Sequence, residues 1–143
     1  MPRPTIFDPV RKKRIVLTPE EEVRQFVIRF LQENCGVPLG YIGSELPVKL
    51  YQRDLRCDLA VRNKRGEAVM LIECKRPSVS LGEKVLEQVL RYDMLRRERF
   101  IVITNGLEFR CWERCEIAEE NEEKTVRWRE WERYPTWEEL NRS

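Results

Sequence analysis

The run Ala68-Val69-Met70-Leu71-Ile72-Glu73-Cys74-Lys75-Arg76-Pro77 constrains the fold more than any other stretch of the chain. An uninterrupted apolar segment leads straight into Glu-Cys-Lys, and a proline closes it. An apolar run this short, bounded by a Gly-containing turn and a Pro, reads as a buried strand. Side chains alternate faces along a strand, so Glu73 and Lys75 share one face and Ile72 and Cys74 the other. A carboxylate and an ammonium therefore emerge together at the end of a buried strand. Burying either alone is expensive, so the pair calls for partners elsewhere in the chain.

The preceding segment supplies one. Cys57-Asp58-Leu59-Ala60-Val61 reads as a second strand, and Asn63-Lys64-Arg65-Gly66 as the turn that joins it to the first. With Arg62 opposite Val69, the antiparallel register sets Asp58 opposite Glu73, whereas a slip of one residue would separate them. Upstream, Val48-Lys49-Leu50-Tyr51 reads as a further strand, 41–46 as a connector, and Gln52-Arg53-Asp54-Leu55 as turn-like. Thr18-Pro19-Glu20-Glu21 starts a helix, with Thr as N-cap, Pro at the first position and Glu closing a capping box. Val23, Phe26, Val27, Phe30 and Leu31 form its apolar stripe, and Gly36 its stop. Residues 1–17 read as an irregular basic arm with a short extended piece. The run Arg11-Lys12-Lys13-Arg14 is read either as a solvated arm or as a DNA contact.

Downstream, residues 83–97 form the expected second helix, and Phe100-Ile101-Val102-Ile103-Thr104 a fully apolar strand of the kind found at a central parallel position. Asn105-Gly106 turns the chain into an alternating partner strand, 107–112. Residues 113–126 read as acidic and irregular, and Trp128, Trp131 and Trp137 as packing residues of a charged tail with one or two helical turns. The order predicts an α/β sandwich with a mixed central sheet flanked by helices. One domain is expected over 1–143, with its core at about 15–113 and an acidic, Trp-rich tail at 114–143.

Composition removes several chemistries. The chain of 143 residues has no histidine, which excludes Ser-His and Cys-His nucleophiles. Five cysteines without an even-spaced framework argue against a disulfide-stapled secreted protein, and Cys35, Cys57 and Cys74 read as core thiols. With no Cys-x-x-Cys and no histidine, a structural zinc site is not expected. No apolar run approaches membrane-spanning length and Met1–Val10 has no signal-like segment, so a cytoplasmic location is expected. The net charge of +2 says little, but the basic middle and acidic stretch 116–123 fit one polyanion-facing side.

Two carboxylates on adjacent strands can hold a hard divalent cation, which improves a bound water as nucleophile. A lysine on the same side can orient or help deprotonate that water and neutralise phosphate oxygens. The bland alternative for Asp58, Glu73 and Lys75 is a buried ion network. For Gln88 it is a surface amide, and for Tyr92 a core aromatic. Arg24 either pairs with a site carboxylate or lies on a solvated face.

The pattern Asp58 … Glu73-Cys74-Lys75 resembles the PD-(D/E)XK nuclease superfamily, and Gln88 with Tyr92 resembles the Gln-x-x-x-Tyr element of its RecB-like branch. The wider run is similar to the amino-terminal domain of type I restriction enzyme R subunits. It comprises Leu17-Thr18-Pro19-Glu20-Glu21, Val23-Arg24-Gln25, Arg56-Cys57-Asp58, Ile72-Glu73-Cys74-Lys75, Arg91-Tyr92 and Val102-Ile103-Thr104-Asn105-Gly106. The resemblance spans roughly residues 5–113. It implies a restriction-endonuclease-like fold and a Mg²⁺-dependent DNA endonuclease of restriction type, with Mn²⁺ as an alternative metal. Asp58 and Glu73 would be the metal ligands and Lys75 the catalytic lysine. Gln88 and Glu21 would complete the catalytic set, and Lys75, Arg76 and Tyr92 would contact DNA. The expected partners are DNA, restriction or helicase subunits and a second copy of the chain, with no membrane. The alternative is an inactive nuclease-fold module that binds nucleic acid or assembles a restriction or repair complex. Two departures stand out: Cys57 occupies the place of the motif's proline, and these 143 residues include no motor segment, so the resemblance does not extend to DNA translocation.

Overall fold

A computed structural model describes residues 2–50, 53–82, 84, 87, 98–118 and 124–142, without the side chains of 45–57 and 117–125. Its centre is a six-stranded mixed sheet in the order β3-β4-β5-β6-β7-β8, with strands Ile42–Leu50 (β3), Arg53–Arg62 (β4), Ala68–Cys74 (β5), Phe100–Thr104 (β6), Phe109–Ala118 (β7) and Lys124–Trp131 (β8). A separate hairpin pairs β1 (Thr5–Asp8) with β2 (Lys13–Val16). Helix α1 spans Pro19–Glu33 and a short helix, α2, spans Trp137–Leu140. Among the described strand pairs only β5–β6 is parallel, as a crossover between them requires. The expected crossover helix lies, apart from helical Lys84 and Glu87, outside the described residues, as do Gln88 and Tyr92.

Thr18 caps α1, its hydroxyl accepting from the Glu21 N–H at 3.1 Å, and Pro19 occupies the first turn. Val23, Val27, Ile28 and Leu31 pack against Leu59, Val61, Met70, Ile72, Phe100 and Val102 on one sheet face. Ala60, Leu71, Ile101, Ile103 and Trp112 form the apolar layer of the other face. β5 and β6 thus divide their side chains by parity between two apolar layers, which explains why they read as continuous apolar runs. Phe26, expected in the helix stripe, is instead 47% exposed. The stripe is centred one position further round the helix, on Ile28.

Several local expectations are corrected. The amino-terminal arm is a hairpin rather than irregular chain. The connector before Pro47 belongs to β3, and the turn-like Arg53-Asp54-Leu55 belongs to β4. Pro47 is tolerated because β3 lies at the sheet edge. The supposedly irregular 113–126 contains the end of β7 and the start of β8. The density of charged residues there hides the strand alternation in the sequence, and β8 forms the far edge of the sheet. Trp131 meets Phe100 edge-on at 4.9 Å, and Trp137 packs on Tyr41 at 4.7 Å. Cys35, Cys74 and Cys111 are buried free thiols, while the side chain of Cys57 is outside the described set. Burial pushes Cys35 up to about 11 and Cys111 up to about 12, which keeps both thiols protonated and inert. Among the described residues no helix is long and apolar enough to cross a membrane.

The β6–β7 turn is fastened to the segment after β5. Asn105 Oδ1 accepts from the N–H groups of Leu107 and Glu108, both at 2.9 Å, and its Nδ2 donates to the Val79 carbonyl at 2.8 Å. Gly106 sits at φ +89°, and a Cβ there would lie 3.1 Å from Val23 Cγ2. Gly106→Ala is therefore expected to destabilise the fold by about 1–3 kcal/mol, measured by denaturant unfolding. A neutral result would mean that the turn does not need the left-handed backbone.

Candidate functional site

The β4–β5 hairpin sets the site. Leu59 pairs with Ile72, so the next residues out, Asp58 and Glu73, face each other as the period-two reading predicts. The register differs only near the turn. A bulge places Arg62 opposite Ala68 rather than Val69, leaving Val69 as the extra residue. At the other end the regular ladder gives way to a side chain: the Cys74 N–H donates to Asp58 Oδ2 at 2.7 Å. The Lys75 N–H donates to the Thr104 carbonyl at 2.8 Å, which carries the β5–β6 pairing past the strand end and fixes the backbone beneath the lysine.

Glu73 is 9% exposed, and its Oε1 lies 2.9 Å from Lys75 Nζ. Asp58, Glu73, Cys74 and Lys75 line a cleft of about 350 Å³ with Glu20, Glu21 and Arg24 from the first turns of α1. Burial pushes the Asp58 carboxyl up to about 6. The Cys74 N–H opposes that rise, the charges of Glu20 and Glu73 add to it, and Arg24 offsets part of it. This crowding of carboxylates is the electrostatic condition that a bound cation relieves. Two strand carboxylates suit Mg²⁺, which takes oxygen ligands and keeps several waters. Among the described residues no ready cluster of three or more His, Cys, Asp or Glu ligands is formed.

Behind the cleft lies a buried charge network. Arg24 is 3% exposed and Asp8 0% exposed. Arg24 Nη1 donates to Asp8 Oδ2 at 2.7 Å, and its Nη2 donates to Ser44 Oγ. Asp8 Oδ2 also accepts from Arg11 Nε at 2.5 Å, and Asp8 Oδ1 from the Val10 N–H at 2.9 Å. Burial alone would raise the Asp8 carboxyl, but the two guanidinium groups and the Val10 N–H outweigh it and bring it down to about 2. Both oxygens of Glu21 face arginines: Oε1 takes Arg11 Nη2 at 2.6 Å and Oε2 takes Arg24 Nη1 at 3.4 Å.

The structure thus brings Asp58, Glu73, Lys75 and Glu21 to one cleft, with Glu21 engaged by the arginines at its back. Arg76 is exposed just beyond it, and Gln88 and Tyr92 fall outside the described residues. Of the two readings of Arg24, pairing at the site holds. Sequence reasoning missed Asp8, Arg11 and Ser44 as members of the surroundings. Glu20, which shares a helix face with Arg24 by its spacing of four, lines the cleft beside Glu21.

The model of the type I restriction enzyme R protein N terminus (HSDR_N) matches residues 19–126. This chain belongs to that family. The HSDR_N match covers α1, the site hairpin and the sheet through β7. Among solved structures, the chain is similar to a fragment assigned to the HsdR subunit of a type I restriction enzyme from Vibrio vulnificus YJ016. The two are 18% identical with a TM-score of 0.56, over 87% of this chain and 24% of that one. The likeness supports the fold, and the HSDR_N chain spans about a quarter of that structure's length. No curated protein matches this chain in sequence.

Proposed function

We propose that this HSDR_N chain hydrolyses DNA phosphodiester bonds with Mg²⁺, or Mn²⁺ in its place, at a PD-(D/E)XK-type site of the RecB-like branch. The observation that carries the proposal is the convergence of Asp58, Glu73 and Lys75 in one cleft, with Asp58 and Glu73 facing across the hairpin. Asp58 and Glu73 would hold the metal. When bound, it would supply positive charge to the scissile phosphate and acidify the attacking water.

The chain's own groups would do the rest. The Cys74 N–H holds one Asp58 oxygen, and the other would ligate the metal. Glu73 holds the Lys75 ammonium at 2.9 Å, where it can donate to a phosphate oxygen or position a water. Glu21, with both oxygens on arginines, would orient α1 rather than ligate. Gln88 and Tyr92 are proposed to line the same strand end, and Arg76 to contact the DNA backbone. A cytoplasmic protein that works with restriction or helicase subunits, or as a homodimer, fits this reading.

The Glu73–Lys75 ion pair also fits a second reading, in which the fold binds nucleic acid or partners without cleaving. Plasmid cleavage with Mg²⁺ separates the two. The parent protein is expected to cut, and Glu73→Ala and Lys75→Ala each to lose about 100-fold or more. No metal-dependent cleavage of duplex, branched or single-stranded DNA by the parent would leave the second reading standing.

A further inference from the structure

We propose that the tip of the β1–β2 hairpin, with Lys12 and Lys13, is a docking surface for the phosphate backbone of the nucleic acid that enters the cleft. It rests on the nuclease reading and adds where the substrate is held. Charge balance is the first argument. Among the described residues, Glu20, Glu21, Asp58 and Glu73 line the cleft against Arg24 and Lys75. A polyanion approaching such a cleft meets net repulsion unless cations beside it offset the field.

The hairpin supplies them in a fixed place. Arg11 spans from the hairpin to the cleft wall, with Nε on Asp8 and Nη2 on Glu21. Asp8, fully buried, is locked by Arg24 from below. Its carbonyl accepts the Lys12 N–H at 2.7 Å, and its carboxylate accepts the Val10 N–H at 2.9 Å. The turn that follows is therefore nailed to α1 beside the site. Lys12 and Lys13, at the end of that turn, are exposed and have no ion-pair partner among the described residues. Their charges remain available, whereas Arg11 is already engaged.

The backbone adds an independent observation. Lys12 has φ +56°, the one positive value at a non-glycine residue among those described. The left-handed region is disfavoured for lysine and much better tolerated by Asn or Gly. The turn thus carries a lysine where Gly, Asn or Asp would be the easier residue.

The test is duplex-DNA binding by fluorescence anisotropy without added metal, across a salt series, for the parent and Lys12→Asn/Lys13→Gln. Each lost phosphate contact lowers the slope of log K against log salt by about 0.9, so the double variant is expected to lose about 1.8. Its affinity deficit should then close by roughly 12-fold between about 50 and 200 mM salt. Cleavage by the double variant should show raised KM with unchanged kcat. Lys12→Asn alone should weaken binding while raising the melting temperature, a split that a purely structural lysine would not give. A double variant with the parent's salt slope overturns the docking surface even if the parent cleaves normally. A reduced slope in a protein that never cleaves keeps the docking surface and removes the catalytic reading. A parent that neither binds nor cleaves DNA overturns both.

Discussion

Asp58→Asn is expected to abolish metal-dependent cleavage and, at the same time, to stabilise the fold above pH 6. The two effects have one cause. Asp58 sits in a cleft where burial and the charges of Glu20 and Glu73 disfavour its ionised form, lifting it from 3.8 to about 6. Below pH 3.8 the carboxyl is protonated in both folded and unfolded chains and costs nothing. Between 3.8 and 6 the unfolded chain ionises first, so stability falls as pH rises. Above 6 the native state carries the full cost, at most about 3 kcal/mol and nearer 1–2 kcal/mol after solvent screening in an open cleft. Asparagine keeps the shape and removes the charge. Each kcal/mol recovered at pH 8 should raise the melting temperature by roughly 2–4 °C. Added Mg²⁺ or Mn²⁺ should stabilise the parent at pH 8, much less below pH 6 where protons compete, and Asp58→Asn hardly at all. A variant that cuts DNA at the parent's rate, or that melts lower at pH 8, would remove Asp58 from the site.

The site hairpin was legible for a simple reason. A buried strand has a period of two, so Glu73 and Lys75 had to share a face, and a short turn set the strand bearing Asp58 alongside. Phe100–Thr104 was legible because a strand covered on both faces has no polar interruptions. The edges were not. The start of β3, the end of β7 and the start of β8 mix charged and apolar residues without a regular period, and they read as connector or irregular chain. The bulge at Val69 left no mark either, because Val is as good a bulge residue as a ladder residue to any local rule. Glu20 and Glu21 could be separated only by knowing that Arg11 arrives from a hairpin and claims one of them. The network behind the cleft was the least visible: Asp8 and Arg24 are sixteen residues apart in chain and on different elements. An aspartate after Phe7 in a proline-rich segment carries no signal of complete burial.

Asp8 is where that invisibility has the largest consequence for stability. Asp8→Ala is expected to destabilise the protein by about 3–5 kcal/mol, because the buried Arg24 guanidinium loses its main counter-charge and the hairpin loses its anchor. Arg24 would still reach Glu21, at 3.4 Å, and Ser44, but neither replaces a buried carboxylate at 2.7 Å. The pH dependence runs opposite to that of Asp58. The Asp8 carboxyl is held at about 2 against an ordinary 3.8, so its contribution, roughly 2 kcal/mol, is complete above 3.8. It is lost as pH falls through about 2. Acid unfolding followed by circular dichroism should therefore shift to higher pH in Asp8→Ala. Removing both charges tests the mechanism directly. Asp8→Leu with Arg24→Met leaves no orphaned ion in the core and should recover much of the lost stability. If the double variant is as unstable as Asp8→Ala, the loss comes from the hairpin's own turn, where Asp8 accepts the Val10 N–H, and not from the stranded arginine. Recovered stability without recovered DNA binding would separate the two tasks of this network, holding the fold and presenting Lys12 and Lys13 beside the cleft.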